Sequence, residues 1–238
     1  MKQPVPLLIT TAIEVTAPLT KMSDPDQRLA ATLCALEQWL KQPSVDTIVV
    51  TDGSDFEYGN RLQEVSYGSG KQVEFLRFRA DEVRTRAQGK GYAEGEIVRH
   101  ALTHSRFLQQ SPLFAKCTGK LWVENYGRCL AAFDGEFQCA VNGKRRIDML
   151  DTRFYFASRE FWLKHLGDAH LRVDDERGYF LEHCYLDRLR EIGHRGVTLS
   201  VPPIVLGRSG SGDFEYPRMS RYKYLSRRLR YAIFRRIY

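Results

Sequence analysis

The alternation of short apolar runs with helical stripes limits what this chain can become. Residues 6–13 (PLLITTAI) form a brief apolar, β-branched run that suits a buried strand. Asp24-Pro25-Asp26-Gln27 reads as a helix start, with Asp24 as cap and Pro25 at the first helical position. Leu29, Leu33, Leu36 and Leu40 then mark one helical stripe, and Pro43 lies past its end. Residues 47–51 (TIVVT) make a second strand closed by Asp52-Gly53-Ser54, and 71–78 (KQVEFLRF) a third. Ile97, Val98, Ala101 and Leu102 place a helix over 92–105, and 114–123 reads as a fourth strand around a Thr118-Gly119 break. This order predicts an α/β fold, with a mostly parallel sheet flanked by helices.

The second half is more mixed. A strand is expected over 147–157, a helix from caps at Asp174 and Asp175 through Ile192, and a short strand over 197–205. Arg208-Ser209-Gly210-Ser211-Gly212 then forms a flexible turn ahead of the C-terminal segment. With 238 residues there is room for one α/β domain, expected over 1–215, and a tail over 216–238. The N-terminal apolar run at 7–9 is too short for a signal-peptide core, and no segment reaches the roughly 18 apolar residues of a spanning helix. A cytoplasmic protein is therefore expected. The five cysteines are odd in number and scattered without a C-x-x-C pair, which points to buried thiols and not to a disulfide or zinc framework.

The net charge of +7 is concentrated in one place. Residues 216–238 hold eight Lys and Arg and no acid; without them 28 basic residues face 29 acidic ones. On a helical wheel Tyr222, Leu225, Leu229, Ile233 and Ile237 fall on one side of this tail. Lys223, Arg227, Arg228, Arg230 and Arg235 fall on the other, while Arg236 intrudes near the apolar side. That is the layout of a helix lying in an anionic membrane interface.

In an open α/β sheet, ligands bind beyond the carboxyl ends of the strands. Thr10, Thr11 and Glu14 follow the first strand, Asp52 ends the second, and Lys116, Thr118, Gly119 and Lys120 surround the end of the fourth. Lys90, in Gly89-Lys90-Gly91 at a helix start, suits a phosphate, although the segment matches neither G-x-G-x-x-G nor a P-loop. Arg208, Ser209 and Ser211 offer a guanidinium, hydroxyls and backbone amides to a diphosphate; as a plain linker the same residues need no ligand. His100 and His104 have the spacing of two metal ligands but lack a third, so a polar helix face explains them. No serine lies in a G-x-S-x-G elbow. Among the acids of the second half, Glu182 is the leading candidate for a catalytic carboxylate and Asp151 the second. Sugar transfer to a hydroxyl requires such a group to take the proton or steady the cationic sugar.

Several segments, taken in order, carry a resemblance. They are Ile-Val-Val-Thr-Asp-Gly-Ser, Gly-Lys-Gly-Tyr-Ala-Glu-Gly-Glu, Phe-Ala-Lys-Cys-Thr-Gly-Lys-Leu-Trp-Val-Glu-Asn, Asp-Thr-Arg-Phe and Gly-Arg-Ser-Gly-Ser-Gly. Together they resemble bacterial GT-A-like glycosyltransferases of capsule and lipopolysaccharide O-antigen biosynthesis. The resemblance implies a nucleotide-sugar donor and a growing glycan or lipid-linked acceptor. It implies Thr10, Thr11, Glu14 and Asp52 facing the nucleotide, and Lys116, Thr118, Gly119 and Lys120 lining the donor site. It departs from the family at the metal-binding Asp-x-Asp, where Lys116-Cys-Thr-Gly-Lys120 stands. The sequence thus lends no support to a divalent metal, and cations are expected to meet the leaving diphosphate. Two rival readings are a nucleic-acid-binding protein using its Arg-rich tail and a non-catalytic membrane scaffold. The near-neutral body and the lack of a nucleic-acid module oppose the first, so no nucleic-acid partner is expected.

Overall fold

The computed structural model describes residues 4–18, 20–143 and 146–237. Its first half runs β1 (Leu7–Thr11), α1 (Pro25–Leu40), β2 (Thr47–Asp52), α2 (Arg61–Ser66), β3 (Gln72–Arg77), α3 (Glu82–Gln88), α4 (Lys90–His104) and α5 (Arg106–Gln109). Next come β4 (Leu113–Thr118), β5 (Leu121–Val123), α6 (Tyr126–Ala131), β6 (Phe137–Asn142), β7 (Met149–Ser158) and α7 (Arg159–Phe161). The chain ends in α8 (Leu181–Glu191), β8 (Val205–Arg208), β9 (Glu215–Tyr216) and α9 (Arg221–Ile237).

The main sheet has the order β3-β2-β1-β4-β7-β6. The first four strands are parallel, and β7 and β6 continue the sheet antiparallel. The central strands are apolar at successive positions because both faces are covered. Leu8, Val49 and Phe114 pack in one core with Val98 and Leu102 of α4, while Leu7, Ile9, Ile48 and Val50 pack in the other with Leu29, Leu36 and Trp39 of α1. Helix α1 starts where the sequence expects: the Asp24 carboxylate accepts from the amides of Asp26 (2.8 Å) and Gln27 (3.2 Å). It is tied to β5 by Trp39 Nε1, which donates to Leu121 O at 2.9 Å.

The second half differs from expectation in several places. β6 carries no clear alternation and is set by pairing with β7. The strand expected over 197–205 is reduced to a bridge between Cys139 and Thr198, and β8 begins only at Val205. Pro202 and Pro203 remove the amide donors that a continuous strand needs. Asp174 and Asp175 do not cap α8, which starts at Leu181. Asp174 instead exchanges two 2.9 Å backbone bonds with Tyr179, and Asp175 accepts from the Lys90 amide. β5 leaves the main sheet for a small one of order β5-β8-β9. Cys34 is exposed, while the other four cysteines are buried.

Helix α9 also packs otherwise than its wheel implies. Tyr231 and Phe234 are buried in the domain, the Tyr231 hydroxyl accepts from Val141 N at 3.1 Å, and Arg235 pairs with Asp134 at 2.8 Å. Tyr222, Leu225, Leu229 and Ile233 face outward. The side chains of Arg236 and Ile237, also assigned on the wheel, lie outside the described residues.

Candidate active site

The main sheet changes direction between β1 and β4: strands β2 and β3 extend it to one side, and β4 begins the other. A crevice forms at the carboxyl ends of two parallel strands when their continuations part in this way. A cavity of about 360 Å³ lies there, with Thr10 and Thr11 of β1 and Thr118 of β4 in its lining.

Residues 208–211 close over one end. Gly210 O accepts from Met22 N (3.2 Å), Ser209 N donates to Phe214 O (2.7 Å), and Lys90 Nζ donates to Ser211 Oγ (2.8 Å). Two cations lie beneath this strap. Arg28, on the buried side of α1, donates from Nε to Ala12 O (2.8 Å) and from Nη1 to Met22 O (2.9 Å). Lys120, at the β4–β5 turn, is 5% exposed; its carbonyl accepts from Arg208 N at 3.1 Å, while its ammonium has no hydrogen-bond or ion-pair partner among the described residues. A Cβ on Gly210 would stand 2.7 Å from Lys120 Cε and 3.2 Å from Arg28 Nη1, so only glycine lets the strap sit this close.

Burial lowers Arg28 to about 10, against the attraction of Asp52. Burial, and after it the neighbouring Arg28 charge, lower Lys120 to about 7, with Asp52 again opposing. Asp52 is the charge that attracts both, and neither forms an ion pair with a carboxylate among the described residues, so the pair can also meet an anion.

The far end of the cavity is acidic. Glu182 stands in the first turn of α8, where a carboxylate complements the helix dipole, and accepts from Thr152 Oγ1 at 2.9 Å. Glu94 of α4 forms an ion pair with Lys116. Lys116 is wholly buried and also donates to Thr152 O (2.8 Å) and Thr118 Oγ1 (3.0 Å). Beside them Arg153 pairs with Asp151 (2.5 Å) and lies 4.6 Å over the Tyr216 ring.

Of the residues singled out from sequence, Thr10, Thr11, Glu14, Lys90, Thr118, Lys120, Glu182, Arg208, Ser209 and Ser211 line this one cavity. Asp52, Lys116, Gly119 and Asp151 are outside its lining, each for a physical reason. Asp52 accepts from Thr11 Oγ1 (2.7 Å), Ser54 Oγ (2.6 Å) and the amides of Ile13, Ser54 and Phe56, so its oxygens are used inside the protein. Gly119 N donates to Thr10 O (2.8 Å), and a Cβ there would meet Thr11 Cγ2 at 2.5 Å. Asp151 is occupied by Arg153.

The expectation that Asp52 and Lys116 share a cleft is corrected. Registers place Asp52 opposite Thr11 and Lys116 opposite Leu8, and alternation sends the two side chains to opposite faces of the sheet.

Arg28, Glu94, Thr152, Arg153 and Tyr216 join the lining without having been singled out. For Arg28 a signal existed: with Thr32, Ala35 and Trp39 it falls on a buried helical stripe, where a charge requires a reason. His100 and His104 stack on one another (4.1 Å between centroids), and no group of three potential metal-ligating side chains occurs among the described residues.

No family model and no curated protein matches this chain in sequence. Solved structures do match in shape. The galactosyltransferase LgtC, solved with donor and acceptor sugar analogs, shares 9% identity over 82% of this chain and 72% of its own, with a TM-score of 0.52. The glycosyltransferase GlyE of Streptococcus pneumoniae TIGR4 has 9% identity and a TM-score of 0.54, covering 82% of this chain and 45% of its own. The bifunctional glycosyltransferase WbbM has 8% identity and a TM-score of 0.50, covering 98% and 45%. This chain therefore spans about half the length of the last two. At such identities the likeness is one of fold: a mixed α/β domain with a mainly parallel six-stranded sheet flanked by helices, as in GT-A-like nucleotide-sugar transferases.

Proposed function

We propose that this protein transfers a sugar from a nucleotide-diphosphate donor to a hydroxyl of a growing surface polysaccharide or lipid-linked glycan, of the bacterial capsule or O-antigen kind. The observation that carries this reading is the buried Arg28–Lys120 pair beneath Gly210 at the β1/β4 switch point. This pair meets a diphosphate, and Lys90 with Arg208, Ser209 and Ser211 holds it from the strap side. The nucleoside lies toward Thr11, Glu14 and Ser54, and the sugar toward Thr10, Thr118 and the acidic end. Asp52 shapes the nucleoside side through Thr11 and Ser54.

Glu182 is the catalytic carboxylate that takes the acceptor proton or steadies the cationic sugar, and Asp151 serves it by fixing Arg153. Charge developing on the leaving diphosphate is met by cations already in place, which reduces the demand on a divalent ion. Helix α9 attaches the enzyme to the cytoplasmic face of an anionic membrane through its outward apolar stripe and arginines. Among the described residues no helix is long and apolar enough to cross one.

A thermal-shift screen of the full chain against UDP-, GDP-, dTDP- and CMP-sugars, with and without divalent metal, tests this reading. It predicts that CMP-sugars, with a single phosphate, do not raise the unfolding temperature at low concentration and that one of the diphosphate donors does. Stabilisation by none of them would refute the assignment. So would turnover of a nucleoside triphosphate with a sugar phosphate, which is nucleotidyl transfer.

A further inference from the structure

The least expected residue in the site is Lys116, a lysine with no exposed surface on a central strand. It touches no solvent and does not line the cavity, so direct contact with donor phosphate is closed to it. All its donors turn to groups that do line the cavity: the Glu94 carboxylate, Thr118 Oγ1 at 3.0 Å and Thr152 O at 2.8 Å. Thr152, whose carbonyl is fixed in this way, donates its hydroxyl to Glu182 Oε1 at 2.9 Å.

Two carboxylates on the cavity wall, one on α4 and one on α8, are thus joined through one buried ammonium and one threonine of β7. Glu94 is neutralised by its ion pair. The Glu182 carboxylate instead takes its hydrogen bond from the Thr152 hydroxyl. We infer that Glu94, Lys116 and Thr152 form a positioning unit: Lys116 anchors Thr152, Thr152 aims Glu182 at the sugar, and Glu94 keeps the ammonium from pairing with Glu182 itself. The inference rests on the proposed role of Glu182 and assigns Lys116 to the carboxylate side of the site.

Burying an ammonium is costly unless it is paired and hydrogen-bonded. A bare stability role is served by the Glu94 pair alone; the additional link to Thr152 is what reaches Glu182.

The test uses the full chain with whichever nucleotide sugar stabilises it in the screen above. Thr152→Val removes the hydroxyl and leaves the carbonyl that Lys116 uses. It is expected to lower kcat about tenfold, the scale of a lost hydrogen bond to a charged group, with donor KM within about twofold of wild type. Thr152→Ser should restore kcat. Lys116→Met should give the same kcat-selective loss. Wild-type kcat in Thr152→Val would overturn the inference, as would Ser and Val variants behaving alike.

A crystal structure of Thr152→Val needs no substrate. Displacement of the Glu182 carboxylate supports the unit and an unmoved carboxylate overturns it, even if the wild-type protein turns over no nucleotide sugar and only the transferase reading falls.

Discussion

Lys120 shows how one side chain joins stability to binding. Its ammonium is buried beside Arg28, and burial, then Arg28, brings its pKa from 10.5 to about 7. Between those values the unfolded chain holds a proton that the folded chain has released, so the sign of the linkage is fixed: stability rises with pH across this window. Lys120→Met should flatten that rise, which for one proton is at most about 1.4 kcal/mol per pH unit, in denaturant titrations from pH 7 to 10. Nucleoside diphosphate binding should run the other way, weakening as pH rises through 7, because the charged form of Lys120 holds the phosphate. Glu182 belongs to a separate step. Glu182→Gln keeps the volume and removes the charge, so transfer should fall by two orders of magnitude or more, on the order of general acid–base catalysis, while donor binding survives. Wild-type turnover by this variant would remove Glu182 from the chemistry.

At the scale of elements, the strands and helices that carry their own pattern were legible in the sequence. β1, β2, α1 and α4 fall within a few residues of their expected places because each buries an apolar run or stripe against a covered sheet. β6 was hidden because an antiparallel strand draws its register from β7, and 197–205 misled because β-branched residues outweighed two prolines. The site was partly legible for the same reason. Polar residues after β1 and β4 announce a strand end, but which face Asp52 or Lys116 takes depends on register. Asp52 consequently becomes a prediction about fold: removing the acceptor of three amides and three hydroxyls in Asp52→Ala should destabilise by about 3–5 kcal/mol in chemical denaturation. The join between α3 and α4 is similarly exacting. Gly89 has φ +106°, and a Cβ there would overlap the Asp175 carboxyl, so Gly89→Ala should cost about 1–3 kcal/mol or more.

For the molecule as a whole, the arrangement of charge and apolar surface decides where it works. The tail is a docked helix: Tyr231 and Phe234 anchor it, and Leu225 and Leu229 remain 61% and 67% exposed beside the arginines. Truncation at Tyr216 would open the core that Tyr231 and Phe234 fill, so the better variant leaves the anchors alone. Leu225→Glu with Leu229→Glu should abolish co-sedimentation with anionic vesicles at an unchanged unfolding temperature. Equal sedimentation of the two proteins, or binding unaffected by high salt, would remove α9 from any membrane role. The switch-point cavity lies beneath the 208–211 strap, and the central claim is that the Arg28–Lys120 pair holds a diphosphate there. Isothermal titration of the nucleoside diphosphate of the stabilising donor into wild type and Lys120→Met tests it most directly. The account predicts binding by wild type and a loss of about 10- to 100-fold in Lys120→Met, the scale of a charged hydrogen bond, without change of fold. Equal affinity for the two proteins would contradict it.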